Sequence, residues 1–397
     1  MKTFFTIFKK EFTDTIRDRR TLFVMVIFPL LLFPVMITVM TKLQSSQMRK
    51  AEEKVLRVGL TTRGNAAGMR EVISRYGFRL VDNVPPDSAE ALLRRDSLDA
   101  VIAVAADFDR DVAALKSGTV QVFFKTSDDF AIGRRRLMET VRTYEKQLLA
   151  ERLARLNLDQ NFVDAIRIEE HDVTSVKEKV GKTVGGLIPY LFVIFCFLGS
   201  MYPAIDLAAG EKERGTIETL LTAPVSRFQI LLGKFGVVVL TGLLSAAVSI
   251  LGLYLAARTN TELPPDMMEA LLGILGVKSI ILVLSLLLPL TVFFAAFLLS
   301  LSIFAKSYKE AQSLISPLTI IVIIPVAIGM IPGFELNGLT ALIPILNVSL
   351  ATKEIIAGTL KPEILAEVYA SLIALAAVSL YACTKWFNRE ETIFRGT

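Results

Sequence analysis

Six apolar runs, each long enough to cross a bilayer, are spread very unevenly along this 397-residue chain. One run stands alone at about 21–41. A polar stretch of roughly 140 residues follows. Five further runs, near 184–207, 229–256, 274–304, 314–332 and 364–385, fill almost all the remainder. About 20 apolar residues in helix span a hydrocarbon core. Backbone left unpaired in lipid is too costly for anything but helix or closed barrel. The pattern predicts an α-helical polytopic membrane protein of six transmembrane helices, with a polar domain, 42–182, inserted between the first and the second.

The charges set an expected orientation. Lys+Arg number 44 against Asp+Glu 39, and the excess reads by location, not as a sign of a nucleic-acid partner. Lys2, Lys9, Lys10, Arg17, Arg19 and Arg20 flank the first run, which puts the N-terminus in the cytoplasm. An even number of crossings returns the tail, 386–397, to the same side. Counting the short loops as well, about fourteen basic residues lie inside and three outside, namely Arg258, Lys353 and Lys361. Domain 42–182 is then extracytoplasmic and the protein belongs in the plasma membrane. The first run does not read as a signal peptide, because its flank is long and mixed in charge and TKLQSSQMRK offers no cleavage site. Pro29 and Pro34 should loosen it.

Local signals refine the elements. Phe4, Phe5, Phe8, Phe12 and Ile16 recur at helical spacing, so 1–20 reads as an amphipathic helix on the inner leaflet, or as the start of the first span. Ser226 with Gln229, Asp266 with Glu269, and Ser307 with Glu310 have the spacing of caps at the third, fourth and fifth spans. In the inserted domain, 55–60, 100–105, 119–125 and 166–173 read as strands. Helices open near Asp87 and Asp107, and a long one covers 130–156 with Leu137, Val141, Tyr144 and Leu148 along its packing side. Alternating strand and helix imply a small α/β domain. Arg134, Arg135 and Arg136 read as a solvated face.

Catalytic chemistry is not legible. Cys196 and Cys383 lie in apolar runs, and His171 lies in a charged stretch with too few companions for a metal site. Gly181, Lys182 and Thr183 mimic the end of a phosphate loop, but Val176 occupies the position where that loop needs glycine. No catalytic, metal or cofactor residues are expected in this chain, and it should not hydrolyse ATP by itself.

The loop 208–228 between the second and third spans carries the strongest signal. The chain should leave the membrane at Asp206 and pass a charged turn, Glu211, Lys212, Glu213 and Arg214. Gly215 permits a reversal. Thr216 is placed to cap a short helix to Ala223, with Glu218 near its positive end and Pro224 as its stop. A short helix fixed between two spans can act as a mechanical handle, or serve as a plain connector.

The stretch GEKERGTIETLLTAPVSRFQILLGK resembles the segment that marks permease subunits of ABC type-2 exporters. The match falls on Glu211, Glu213, Gly215, Thr216, Glu218, Leu220, Leu221, Pro224, Arg227, Ile230, Gly233 and Lys234. FKKEFTDTIRDRRTLFVMVIFPLL and IPILNVSLATKEIIAG look like the same family, and the large inserted domain is similar to its NatB-like sodium-efflux branch. The resemblance implies a separate ABC ATP-binding subunit in two copies, which would bind ATP and Mg. It also implies a second permease copy, identical or paralogous, and sodium as cargo. Glu211, Glu213, Arg214, Gly215, Thr216, Glu218, Leu221, Pro224 and Arg227 would couple the chain to the ATPase.

Few ionisable groups fall inside the spans. Asp206, Lys234, Lys278 and Glu367 read first as interfacial anchors. No buried carboxylate cluster suited to sodium is visible, so a drug, lipid or other amphipath is the competing cargo. The segment 334–363 is broken by Pro344, Asn347 and Gly358, which predicts a re-entrant hairpin or short helices at the outer face. Asp206, Lys278, Pro344 and Asn347 are the pathway or gate candidates. A membrane-tethered binding or sensory protein would need an output domain, and a secondary transporter would need an internal repeat.

Overall fold

The computed structural model describes residues 2–62, 66–125, 131–159, 162, 186–216, 224–261, 263, 268, 271–272, 275–331 and 333–387. It divides into two compact units, Met1–Thr41 with Val173–Thr397, and Lys42–Asp172.

The first unit opens with α1 (Lys2–Arg17) and α2 (Arg19–Leu43). The buried line of α1 is Ile7, Glu11 and Thr15, four residues apart. The expected phenylalanine stripe is split: Phe4, Phe8 and Phe12 stack in a neighbouring row, while Phe5 and Ile16 are exposed. A carboxylate, Glu11, thus takes the core position. Asp18 caps α2 by accepting from the amides of Arg20 and Thr21 at 3.2 and 3.1 Å. A π turn at Phe23–Ile27 includes Met25, the residue whose carbonyl the ring of Pro29 would crowd in a regular helix.

The second unit alternates strand and helix: β1 (Arg57–Thr62), α3 (Ala67–Arg75), β2 (Arg79–Val81), α4 (Ala89–Arg94), β3 (Ala100–Val104), α5 (Phe108–Ala113), β4 (Val120–Phe124) and α6 (Ala131–Arg155). The sheet order is β2-β1-β3-β4, with β1 parallel to β2 and β3, and β4 antiparallel to β3. Val58, Leu60, Ile102, Met69, Phe108 and Leu137 form the core on one face, and Val141, Tyr144 and Leu148 of α6 pack against it. Val84, Leu93, Leu98 and Val101 cover the other face. Burial on both faces explains the apolar run of β3, and edge position explains the alternation of β4. Strand β2 escapes sequence reading because it is three residues long and lies at the sheet edge. The strand expected at 166–173 lies outside the described residues.

The chain then returns to the first unit through α7 (Leu187–Glu213), α8 (Arg227–Thr259), α9 (Val277–Phe304), α10 (Tyr308–Ile328), α11 (Gly338–Ala341), α12 (Leu346–Ala357) and α13 (Pro362–Phe387). Among the described residues, six helices, α2, α7, α8, α9, α10 and α13, are long and apolar enough to cross a membrane. Helix α7 is the centre of the bundle, 78% buried over its apolar window against 17% for α2 and α13. It approaches α8 closely because both lack side chains at the crossing. A Cβ on Gly199 would lie 2.5 Å from Ser245 Cβ, and one on Gly242 would lie 2.2 Å from Ser200 Oγ.

The fifth span begins at Tyr308, not near 314, because its first turn is polar and hydropathy rises later than the helix does. Ser307 caps it by accepting from the Glu310 amide. The cap expected at Asp266 and Glu269 lies outside the described residues, and α9 starts at Val277 after Gly276. Segment 334–363 forms the two short helices α11 and α12. Helix α12 is buried almost throughout its first seven residues.

Candidate functional site

The polar junction where α1, α7, α8, α9 and α10 meet is built from the charged turn Glu211–Arg214. The chain does not leave its helix at Asp206. It widens there into a π turn, Asp206–Gly210, and stays helical to Glu213. Gly215 then reverses it, with φ of 69°.

Each of the four charged side chains engages a different element. Glu211 points inward, where its Oε2 lies 2.6 Å from Lys234 Nζ of α8 in an ion pair without an aligned hydrogen bond. Lys212 Nζ donates to the Ile303 carbonyl in the last turn of α9, the negative end of that helix. Glu213 Oε2 accepts from the Tyr308 amide at 2.7 Å, the positive end of α10. Arg214 turns back to Asp206 at 3.0 Å, and the bare Cα of Gly210 leaves room for that pair. Hydrogen bonding to Asp206 also raises the Arg214 guanidinium above its ordinary value.

Helix α1 completes the buried cluster. Lys234 Nζ lies 3.8 Å from Glu11 Oε1 and donates to the Leu207 carbonyl in the π turn at 2.7 Å. Lys10 reaches in from the surface to Glu11 at 3.1 Å and to Glu211 at 3.9 Å. Burial lowers the Lys10 ammonium, but Glu11, Glu211 and Asp14 outweigh it and leave it raised. Glu11, Lys234 and Glu211 are 1%, 2% and 5% exposed, so two carboxylates and one ammonium share a nearly dry site. Buried charge persists only when paired and hydrogen-bonded.

Sequence dictates this approach. A Cβ on Gly233 would lie 2.7 Å from Ile7 Cγ2, so α1 seats on bare backbone one residue before Lys234. The junction opens into a cavity of about 600 Å³ lined by Lys10, Asp14, Asp18, Asp206, Arg214 and Tyr308, among others. Asp18 carries a lowered pKa there: burial pushes it up, but bonds from Thr21 and Arg20 outweigh that.

Of the expected coupling residues, Glu211, Glu213, Arg214, Gly215 and Thr216 share this one turn. Thr216 Oγ1 donates to the Glu211 carbonyl at 3.3 Å. Pro224 is exposed ahead of α8, and Arg227 opens that helix half-buried. Glu218 and Leu221, with the expected helix beyond Thr216, lie outside the described residues. Lys234 is no surface anchor but fully buried, and Lys10 and Glu11 were not among the sequence candidates. The available signal was an acidic residue four positions after Ile7 in the amphipathic stretch.

The gate candidates separate. Asp206 belongs to the charged junction. Lys278 is exposed in the first turn of α9, roughly 38 Å along the helix from Ile303. Pro344 and Asn347 flank the turn between α11 and α12, where Ile345 is held at φ of 71°. Asn347 Nδ2 donates to the Ala341 carbonyl at 2.8 Å, while its buried Oδ1 has no partner among the described residues. Among the described residues, no three His, Cys, Asp or Glu side chains are grouped to hold a metal ion.

Residues 19–383 match the family described as ABC-2 family transporter protein. The chain is similar to the ABC transporter permease protein NatB of Bacillus subtilis (strain 168), 25% identical over 394 residues that cover 98% of each chain. No solved structure matches it.

Proposed function

We propose that this chain, which belongs to the ABC-2 family of transporter proteins, works as the permease of an ABC exporter and receives the ATPase stroke through loop 208–228. As an ABC permease it is not itself an enzyme, because ATP hydrolysis resides in a separate ATP-binding subunit. The observation that carries the coupling reading is the division of labour in Glu211–Arg214. A displacement of Gly215 and Thr216 acts at once on α8 and α1 through Glu211, on α9 through Lys212 and on α10 through Glu213. A plain connector would need none of these bonds.

In this reading the charged junction faces the cytoplasm with both termini, domain 42–182 lies outside, and two ATP-binding subunits serve two permease copies. The basic bias of the N-terminal flank supports the orientation. Pro344 and Asn347 lie in the segment of the outer gate. Sodium efflux is the cargo of the branch it resembles. An amphipathic cargo is the second reading. It is favoured by the exposed apolar flanks of α2, α10 and α13, which a second copy could close into a lateral groove.

The test is a photo-crosslinker at Thr216 or Pro224 in membranes that contain the ATP-binding subunit. Adducts to that subunit support the reading, and labelling only from the opposite aqueous side would overturn it. Stimulation of the purified complex's ATPase by Na⁺ or by amphipaths then separates the two cargoes.

A further inference from the structure

Unit Lys42–Asp172 contains a cleft that none of the coupling chemistry uses. It opens between α5, β4 and α6, with a volume of about 310 Å³. That is at the lower end of small-molecule sites, which run from roughly 300 to 1,000 Å³. Met69 and Phe108 form its floor, almost fully buried, and Val112, Val141, Leu148 and Tyr144 form half-exposed walls.

Two glycines seat its aromatic rings, Phe108 of the floor and Tyr144 of the wall. A Cβ on Gly118 would lie 2.4 Å from the Phe108 ring, and one on Gly68 would lie 2.3 Å from the Tyr144 hydroxyl. Both rings therefore rest on bare backbone. Among the described residues, the Tyr144 hydroxyl has no hydrogen-bond partner. Burial raises the phenol, and the carboxylates of Asp109 and Glu151 raise it further, so it stays neutral.

The charged groups of the lining are one carboxylate, Glu145, and one guanidinium, Arg152, with two further carboxylates close by. Glu145 lines the mouth and is exposed, while Asp109 and Glu151 lie near Tyr144. The one cation on the lining, Arg152, keeps its charge but is tied to the Lys116 carbonyl at 2.8 Å, and the carboxylates of Glu145, Asp109 and Glu151 outnumber it. An apolar cleft with two π faces and a carboxylate mouth is complementary to a positive charge on a greasy body.

We propose that this cleft binds a small lipophilic cation, an amine or quaternary ammonium, whose apolar part enters between Phe108 and Tyr144 while its charge stays beside Glu145. The proposal does not rest on the permease reading, since the cleft lies wholly within Lys42–Asp172 and its test measures binding alone.

The test is saturation-transfer NMR of the full-length chain in nanodiscs, with benzyltrimethylammonium as the probe. Benzyl alcohol and 3-phenylpropionate serve as neutral and anionic comparators. Saturable binding is expected for the cation, about tenfold tighter than for either comparator. Glu145→Lys, at an exposed position, should weaken it about fivefold. Leu149→Trp should fill the cleft and abolish it. Glu145→Gln, which keeps the shape of the mouth, should give an intermediate loss and guards against a misfolded variant. Non-saturable signal, equal affinity for all three probes, or unchanged affinity in Glu145→Lys and Leu149→Trp would overturn the proposal.

Discussion

Lys234 and Glu211 sit on different helices, one on α8 and one at the end of α7, yet their charged atoms lie 2.6 Å apart with almost no exposure to solvent. The pair joins the two halves of the sequence motif that frames loop 208–228. Its partners Glu11 and Lys10 bring α1 into the same cluster, so the N-terminal helix and the loop are fastened through two ammonium groups, Lys234 inside and Lys10 at the surface.

Lys234→Met should be strongly destabilising, by about 3–5 kcal/mol, because it removes the buried cation and leaves Glu11 and Glu211 only the surface ammonium of Lys10. Glu211→Gln in the same background should recover part of that loss. Thermal unfolding of the two single variants and the double variant in detergent gives the coupling energy. Strictly additive losses would show that the two side chains do not act as a pair.

Glu213→Ala should let the protein insert normally while loosening the N-terminus of α10, at about 1 kcal/mol for a lost helix-end acceptor. Gly215→Pro should act more severely. Its ring fixes φ near −65°, against the 69° observed at this turn. Permease-stimulated ATPase of the purified complex should drop in both, more in Gly215→Pro. Unaltered stimulation in both would remove the mechanical role of the turn.

The six membrane helices were legible because hydropathy over 20 residues is a strong, local signal. Helix ends were less so: α10 begins in a polar turn, and α7 stays helical through Glu211–Glu213, where charge suggested a loop. The buried cluster was not legible. Lys234 and Glu11 look like surface residues in sequence, since what neutralises each lies on another helix. The same limit hid β2, whose three residues are held by pairing with β1 and not by their own pattern. The charged turn itself was readable as a site, but which helix each charge serves follows only from packing.

Acid should weaken the second unit through Asp99. Burial raises this carboxyl, but the Arg57 amide, Lys54 and the Arg57 side chain outweigh that and hold it below its ordinary value. A carboxyl with a lower pKa in the folded state binds fewer protons when folded. Its contribution is therefore present above the unfolded value of about 3.9 and fades as pH falls through the folded one. The melting temperature of Asp99→Asn should lie below that of the parent chain at pH 7, and the gap should close below about pH 4. A gap that stays constant to low pH would mean that the ionised form contributes nothing.

The seating of α1 on α8 yields a test by size exchange. A side chain on Gly233 must displace Ile7, since its Cβ would come within 2.7 Å of Ile7 Cγ2. Gly233→Ala should therefore cost about 1–3 kcal/mol through overpacking, even though alanine is the better helix former. Ile7→Ala alone should also destabilise, by leaving a void. Combined, the two changes return the lost volume to the other side of the contact, so the double variant should be more stable than the sum of the single losses. The readout is the melting temperature, together with the yield of a Cys crosslink between α1 and α8 placed away from the contact. If Gly233→Ala stabilised the protein and left that crosslink unchanged, α1 would not be packed on bare backbone at Gly233, and its hold on the Lys234 cluster would have to rest on the charges alone.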